Sequence, residues 1–391
     1  MAVTFLAIIP LTVYFFSDKK INEIVKGIIP FVGAFFLYYL IRISVLDVST
    51  FEEKMKVVNN GLAAATNGSD RIATAVFMLG KYIMLLFFPH PLSWDYSFNQ
   101  IPILSFSNIK VIITILVLLG LGIFSLLKLK EKNVFSYGIL FFFITMSVVS
   151  NIFIMIGATM AERFLFTPSL AFCIVVPFFL QRFGKNILLG IYAVALLGFS
   201  FKTFSRNKEW ESNFTLFASG VEATPNSSRA QSALGSAYRD SAEKQQNPNL
   251  RMELYQKSVP YYKKAIEILP DNTEALYNLG VTYYGMNDKE NALKCYEQTL
   301  KVSPEYTNAA NNAGVIYFER QDYTNAKKYF EQALQYMPNN ADALGNLGAI
   351  NHNIGNLPAA IDYYKKALVL NPNNQNVQSN LAKAEAALNK K

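Results

Sequence analysis

Charged and amide side chains in apolar surroundings are where this 391-residue chain could do chemistry. Five lie inside or beside apolar stretches of its first half: Lys81, His90, Asp95, Glu162 and Arg163. A charge at membrane depth is costly and usually faces a cavity or a partner. Lys81 sits in the middle of the run from Ala73 to Pro89, where snorkelling is inconvenient, whereas Arg42 can snorkel from a helix end. His90 lies between Pro89 and Pro91, and a lone interfacial histidine is more often structural than catalytic. Asp95 belongs to Leu92-Ser93-Trp94-Asp95-Tyr96-Ser97, whose Trp and Tyr suit an interfacial belt that does not itself require the Asp. Glu162 and Arg163 occupy a short loop between two apolar runs. An ion pair or a topology signal would explain them, and such an arginine could also grip a lipid-linked phosphate.

A second series is Asn278, Asn312 and Asn346, spaced by 34 residues and continued by Asn380. Asparagine is a mediocre helix former, so its recurrence marks a solvated face, inheritance by duplication, or a working amide. In the last reading the carboxamides pair with the backbone C=O and N–H of a bound extended peptide. The elements that position them are three copies of one pattern between Thr273 and Asn374. The first carries Leu276, Leu279, Gly280, Tyr283, Ala292, Tyr296 and Pro304; the second Ala310, Ala313, Gly314, Tyr317, Ala326, Phe330 and Pro338; the third Leu344, Leu347, Gly348, Ala360, Tyr364 and Pro372. Spacings of three and four put the apolar residues on one face of two successive helices, the glycine permits their close approach, and the proline ends the second. This is the tetratricopeptide repeat pattern. An earlier copy begins at Leu234 and Gly235 but reaches Tyr262, Ala265 and Pro270 eleven residues late, so Asp240–Leu250 is expected to be an inserted loop. Phe214–Pro225 reads as a half-repeat helix docking the array, and 375–391 as a polar capping helix.

The first half is of another kind. Up to Phe204 there are 16 Lys and Arg against 9 Asp and Glu; beyond it there are 20 against 19, so the formal charge of +8 sits almost wholly in the apolar half. A nucleic-acid protein would carry its basic face on the soluble part, and the excess fits topology signals better. Runs of spanning length fall at about 1–16, 28–46, 109–127, 134–158, 164–181 and 187–204; Ala73–Pro89 is ambiguous. If it does not cross, Lys19, Lys20 and Lys26, then Lys128, Lys130 and Lys132, then Arg182 and Lys185 all face the cytoplasm. If it does cross, the first cluster lies outside. Either way the repeats are extracytoplasmic, facing the periplasm of a bacterium or the lumen of the endoplasmic reticulum of a eukaryote. Cys173 and Cys295 offer no disulfide framework, and no residue set asks for a metal. The expected architecture is all-α, a polytopic transmembrane bundle over 1–204, a junction over 205–227, repeats over 228–374 and the cap.

Two segments carry a resemblance. Pro91-Leu92-Ser93-Trp94-Asp95-Tyr96-Ser97-Phe98 with Ile101-Pro102, and Ala161-Glu162-Arg163-Phe164-Leu165-Phe166 with Pro168-Ser169, resemble signatures of the transmembrane and tetratricopeptide-repeat O-mannosyltransferases; Ala2-Val3-Thr4-Phe5 is similar to a mid-domain helix of that family. The resemblance implies a GT-C-type glycosyltransferase that moves a sugar from a polyprenyl-phosphate donor, with no covalently bound cofactor, to a protein acceptor outside the cytoplasm. With that donor and acceptor, Lys81, His90, Asp95, Glu162 and Arg163 are the expected donor contacts, and Asn278, Asn312, Asn346 and Asn380 the expected acceptor contacts. It also implies a catalytic acidic residue in the first extracytoplasmic loop. The first loop here is the Lys19–Lys20 cluster, so the expectation is a C-terminal portion of a longer enzyme, inactive alone. The alternatives are a non-catalytic membrane-anchored repeat scaffold and, less well matched by Ser93–Ser97, an O-antigen-ligase-like enzyme.

Overall fold

A computed structural model describes residues 2–45 and 56–389, so the proposed extracytoplasmic stretch opening at Asp47 lies partly outside the described residues. Among the described residues every regular element is helical. The chain divides into two compact units, Met1–Gln231 and Ser232–Lys391, so the junction helix belongs with the apolar helices.

The first unit contains α1 (Phe5–Phe16), α2 (Ile21–Val45), α3 (Gly68–Phe87), α4 (Ile109–Leu127), α5 (Val134–Ser147), α6 (Ser169–Leu180), α7 (Lys185–Glu209) and α8 (Asn213–Ala223). Among the described residues only α2, α4 and α7 are long and apolar enough to cross a membrane. The helices within three of the six expected runs are shorter than the runs: α1, α5 and α6 have 12, 14 and 12 residues. In run 134–158 the helix stops at Ser147, because Ser147, Ser150 and Asn151 offer the backbone other partners. The Ser150 hydroxyl donates to the Ser147 carbonyl, and the Asn151 side chain both accepts from the Ile156 amide and donates to the Ala158 carbonyl. Asn151 itself takes φ 60°, which Asn tolerates better than most residues. Its amide oxygen also receives the buried Asn60 side chain at 3.0 Å, fixing 148–161 as irregular chain against the bundle.

The core of this unit gathers Phe15, Met78, Tyr82, Tyr137, Phe141 and Met146 from α1, α3 and α5. The ambiguous run is α3, a 20-residue helix packed on α4, with Gly80 admitting the Thr114 side chain where a Cβ would clash. In contrast, the most apolar stretch of α7 is not buried at all. The Lys132 ammonium donates to the Ser17 carbonyl at 2.6 Å, which puts the two first lysine clusters at one end of the helices. That contact fits the topology in which both clusters share a side.

The second unit opens within α9 (Ser228–Glu243), followed by α10 (Pro248–Ile268), α11 (Thr273–Gly285), α12 (Lys289–Val302), α13 (Thr307–Glu319), α14 (Tyr323–Tyr336), α15 (Ala341–Asn353), α16 (Leu357–Leu370) and α17 (Gln375–Leu388). Each repeat glycine receives the aromatic ring of the following helix: Gly235 meets Tyr262, Gly280 meets Tyr296, Gly314 meets Phe330 and Gly348 meets Tyr364. A Cβ at Gly314 would stand 2.6 Å from the Phe330 ring, so the small residue is a requirement of packing. The prolines lead into turns whose asparagines cap the next helix, with Asn272, Asn340 and Asn374 accepting the amides of Ala275, Ala343 and Val377. The expected inserted loop is a correction. Asp240–Glu243 continues α9, only 244–247 connect, and α10 runs for 21 residues against 14 in α12. The extra residues lengthen helices because Asn247 caps and Pro248 starts α10, an arrangement favourable at a first helical turn.

Candidate functional site

Glu162 is the centre of the first cluster. It opens a short 3-10 turn, Glu162–Leu165, which is tied to α3 where the Ala161 amide donates to the Tyr82 hydroxyl at 3.0 Å. Its carboxylate accepts from the Ser93 amide at 2.5 Å and from the Tyr96 hydroxyl at 2.8 Å. Arg206, near the end of α7, lies 3.9 Å away, donates to the Leu92 carbonyl at 3.1 Å and also pairs with Glu209. Burial holds the Glu162 carboxyl above its ordinary range, against the opposing pull of Tyr96, Ser93 and Arg206. Burial, then the charge of Glu162, likewise raises the Tyr96 phenol. The group is thus a carboxyl with weakened acidity, held in a fixed orientation by a neighbouring loop. Sequence reasoning does not single out Arg206; it is one cation among several after the apolar run, and no local pattern joins it to Glu162.

Asp95 lies in the same loop but is turned the other way. Its carboxylate accepts from the Ser97 amide and hydroxyl at 3.0 and 2.7 Å and from the Ser227 hydroxyl at 2.6 Å. The Ser93 hydroxyl contacts that of Thr224 at 3.1 Å, the Ser228 amide donates to the Phe98 carbonyl at 2.8 Å, and the Asn99 amide donates to the Asn226 carbonyl at 2.8 Å. Trp94 fills the space over Gly220 and meets Phe217 with ring centroids 5.2 Å apart. The Leu92–Ser97 signature therefore clamps the chain that follows α8, and Asp95, 7% exposed, is held by that clamp. Its expected place as a donor contact is not what this geometry provides.

The five candidates separate. Arg163 is exposed; its side chain meets the neighbouring Phe164 ring at 5.4 Å and, among the described residues, forms no ion pair, which leaves the guanidinium fork open. Lys81 faces the Phe77 ring at 5.9 Å and makes no bond to Glu162 or Asp95. His90 contacts Lys202 through Nδ1 at 3.3 Å in a slot whose lining includes neither carboxylate. Lys81, His90 and Asp95, all expected to contact the donor, do not meet: Lys81 lies beside Phe77 on α3, His90 beside Lys202, and Asp95 is bonded to Ser97 and Ser227.

In the second unit, Asn312, Asn346 and Asn380 line one groove of about 320 Å³ together with Asn311, Asp342 and Asn376. Asn312 donates to the Tyr277 hydroxyl at 3.3 Å. Asn278 is the exception, because it is buried and its amide oxygen accepts from Arg239 at 2.6 Å. The ladder is therefore three rungs in an open groove and a fourth already occupied. Asn311, one residue before the series, has a buried Oδ1 with no hydrogen-bond partner beside that groove.

These features define an all-α membrane protein in which apolar helices precede stacked tetratricopeptide helices. Residues 273–306 and 306–370 match family models described as tetratricopeptide repeat. The chain is similar to protein O-mannosyl-transferases of the TMTC type. It is 27% identical to human TMTC3 over 289 residues, 68% of this chain and 30% of that protein. It is 27% identical to mouse TMTC1 over 224 residues, 54% of this chain and 22% of that one, and 26% identical to Tmtc3 of Drosophila melanogaster over 234 residues, 56% and 24%. The chain thus spans less than a third of the length of these relatives. Among solved structures, MamA is 21% identical with a TM-score of 0.36, covering 41% of this chain and 86% of its own. YrrB, described as a tetratricopeptide-repeat protein with an unusual peptide-binding site, is 18% identical with a TM-score of 0.36, covering 46% and 86%.

Proposed function

We propose that this chain serves a membrane glycosyltransferase that passes mannose from a polyprenyl-phosphate donor to a protein acceptor outside the cytoplasm, the repeats holding the acceptor as an extended segment. One observation carries this reading. The similarity to human TMTC3 runs over 289 residues, far more than the Ser232–Lys391 unit contains, so it reaches into the apolar half, where a likeness owed to repeats alone would stop. In this reading Arg163 takes the donor phosphate through its open guanidinium, a geometry suited to bidentate phosphate bonding. In the same reading Glu162, whose carboxylate is held by Ser93, Tyr96 and Arg206, accepts a hydrogen bond from the sugar or the acceptor hydroxyl. Asp95 is a positioning residue. Asn312, Asn346 and Asn380 bond the acceptor backbone.

The test is equilibrium binding of a polyprenyl-phosphate mannose to the full chain in lipid nanodiscs. Loss of one charge-assisted contact is worth about 1.5–3 kcal/mol, so Arg163→Ala should weaken binding roughly 10- to 150-fold while leaving helicity intact. Equal binding by the variant, or no saturable binding by the parent chain, would remove the reading. The internal bonding of Asp95 favours a second reading, a membrane-anchored repeat scaffold. A chain that binds extended peptide but no donor would be that scaffold.

A further inference from the structure

We infer that the slot between Phe88–His90 and α7 holds the phosphodiester headgroup of an anionic bilayer phospholipid. The slot encloses about 470 Å³, and its wall is Phe88, Pro89, Ala195, Gly198 and Phe199, with His90 and Lys202 supplying its two basic heads. Ala195 and Gly198 leave room along the helix for an acyl chain. Among the described residues neither His90 nor Lys202 forms an ion pair. The two side chains lie 3.3 Å apart, so the Lys202 ammonium and the His90 ring stand side by side at the slot. The lysine ammonium supplies donors and a positive charge that complement the single negative charge of a phosphodiester.

Position selects the bilayer as the source. The most apolar stretch of α7 has no buried residue, and Phe88 and Phe199 are 78% and 52% exposed, so the slot opens onto the lipid side of the helix. Lys202 follows the apolar stretch 187–201, at the height where the helix leaves the acyl layer, with exposed Trp210 two turns on. A lysine at that height reaches the headgroup layer and can bond an acidic lipid headgroup. The inference needs only the membrane location of α7, not the transferase reading.

The experiment reconstitutes the full chain in nanodiscs of four parts phosphatidylcholine to one part phosphatidylglycerol and counts retained lipids by native mass spectrometry. The parent chain should retain phosphatidylglycerol preferentially. Lys202→Gln should lower that retention about fivefold, the worth of one lysine near an acidic headgroup; Lys202→Arg should preserve it, and Lys208→Gln should leave it unchanged. Circular dichroism identifies a variant that has lost its fold, in which case His90→Gln, expected to lower retention in the same direction, decides. Equal retention of both lipids by the parent, or unchanged retention in Lys202→Gln, would overturn the assignment. Displacement of phosphatidylglycerol by an equimolar polyprenyl-phosphate mannose would overturn it too, by giving the slot to the glycosyl donor.

Discussion

Glu162 shows how a residue gains a function-bearing state from its surroundings. Burial raises its pKa above the ordinary 4.5 despite two hydrogen bonds and a nearby guanidinium. A raised folded-state value means that the fold binds this proton more tightly than the unfolded chain does. The group therefore adds stability below about pH 4.5, and that contribution is lost as the pH rises through the folded value. Thermal unfolding of the chain in detergent micelles should show stability falling with pH across this window, and Glu162→Gln should flatten the slope, since the glutamine oxygen can still accept from Tyr96 and Ser93. An unchanged slope would mean that the carboxyl is solvated in the folded protein. Asp95, in the same loop, contrasts with it, because three donors saturate its Oδ2 and leave it as part of the clamp.

At the scale of the elements, helix-against-helix packing in the repeats makes two further outcomes testable. Cys295 points from α12 into the buried seam, and burial pushes its thiol up to about 11. It should resist maleimide at pH 7–8 on the folded chain and react after denaturation, whereas exposed Cys173 should label with a membrane-permeant reagent; labelling of both at equal rates would mean that the array is open. The groove between the first helices of successive repeats supplies the other. Replacing Asn312, Asn346 and Asn380 together with Ala should preserve the circular dichroism spectrum, since Ala favours helix, and weaken binding of an extended peptide by at least tenfold if each rung contributes about 0.5–1.5 kcal/mol. Asn278 is left out because it is buried and its amide oxygen is already taken by Arg239. Unaltered peptide affinity would make the series structural.

Across the first unit as a whole, the Lys132–Ser17 bond places the loops after α1 and after α4 at one end, while Glu162 is bonded to residues at the other end of α7, where α8 begins. Single cysteines substituted at Lys19 and Lys130 in a cysteine-free chain should therefore label from the same side of sealed vesicles with an impermeant maleimide. A substitution at Arg163 should label from the opposite side. Labelling of Lys19 and Lys130 from opposite sides would restore the topology in which Ala73–Pro89 crosses.

What the sequence by itself determined was whatever has a period or a composition. The 34-residue phase located every repeat helix from Thr273 on, and the glycine-to-aromatic pairs followed from it, because helix periodicity is a local property. Apolar content located α2, α4 and α7 for the same reason. The tertiary structure alone decided the rest. How far the run 134–158 stays helical depended on Asn151 finding Asn60 and Ile156, and whether an insertion becomes a loop depended on a cap at Asn247. Glu162 with Arg206, Asp95 with Ser227, Asn278 with Arg239 and His90 with Lys202 are partnerships across 39 to 132 residues of chain. No spacing rule encodes such pairs, since they are chosen by which buried polar groups packing brings within hydrogen-bond reach, where an unpaired group would be costly.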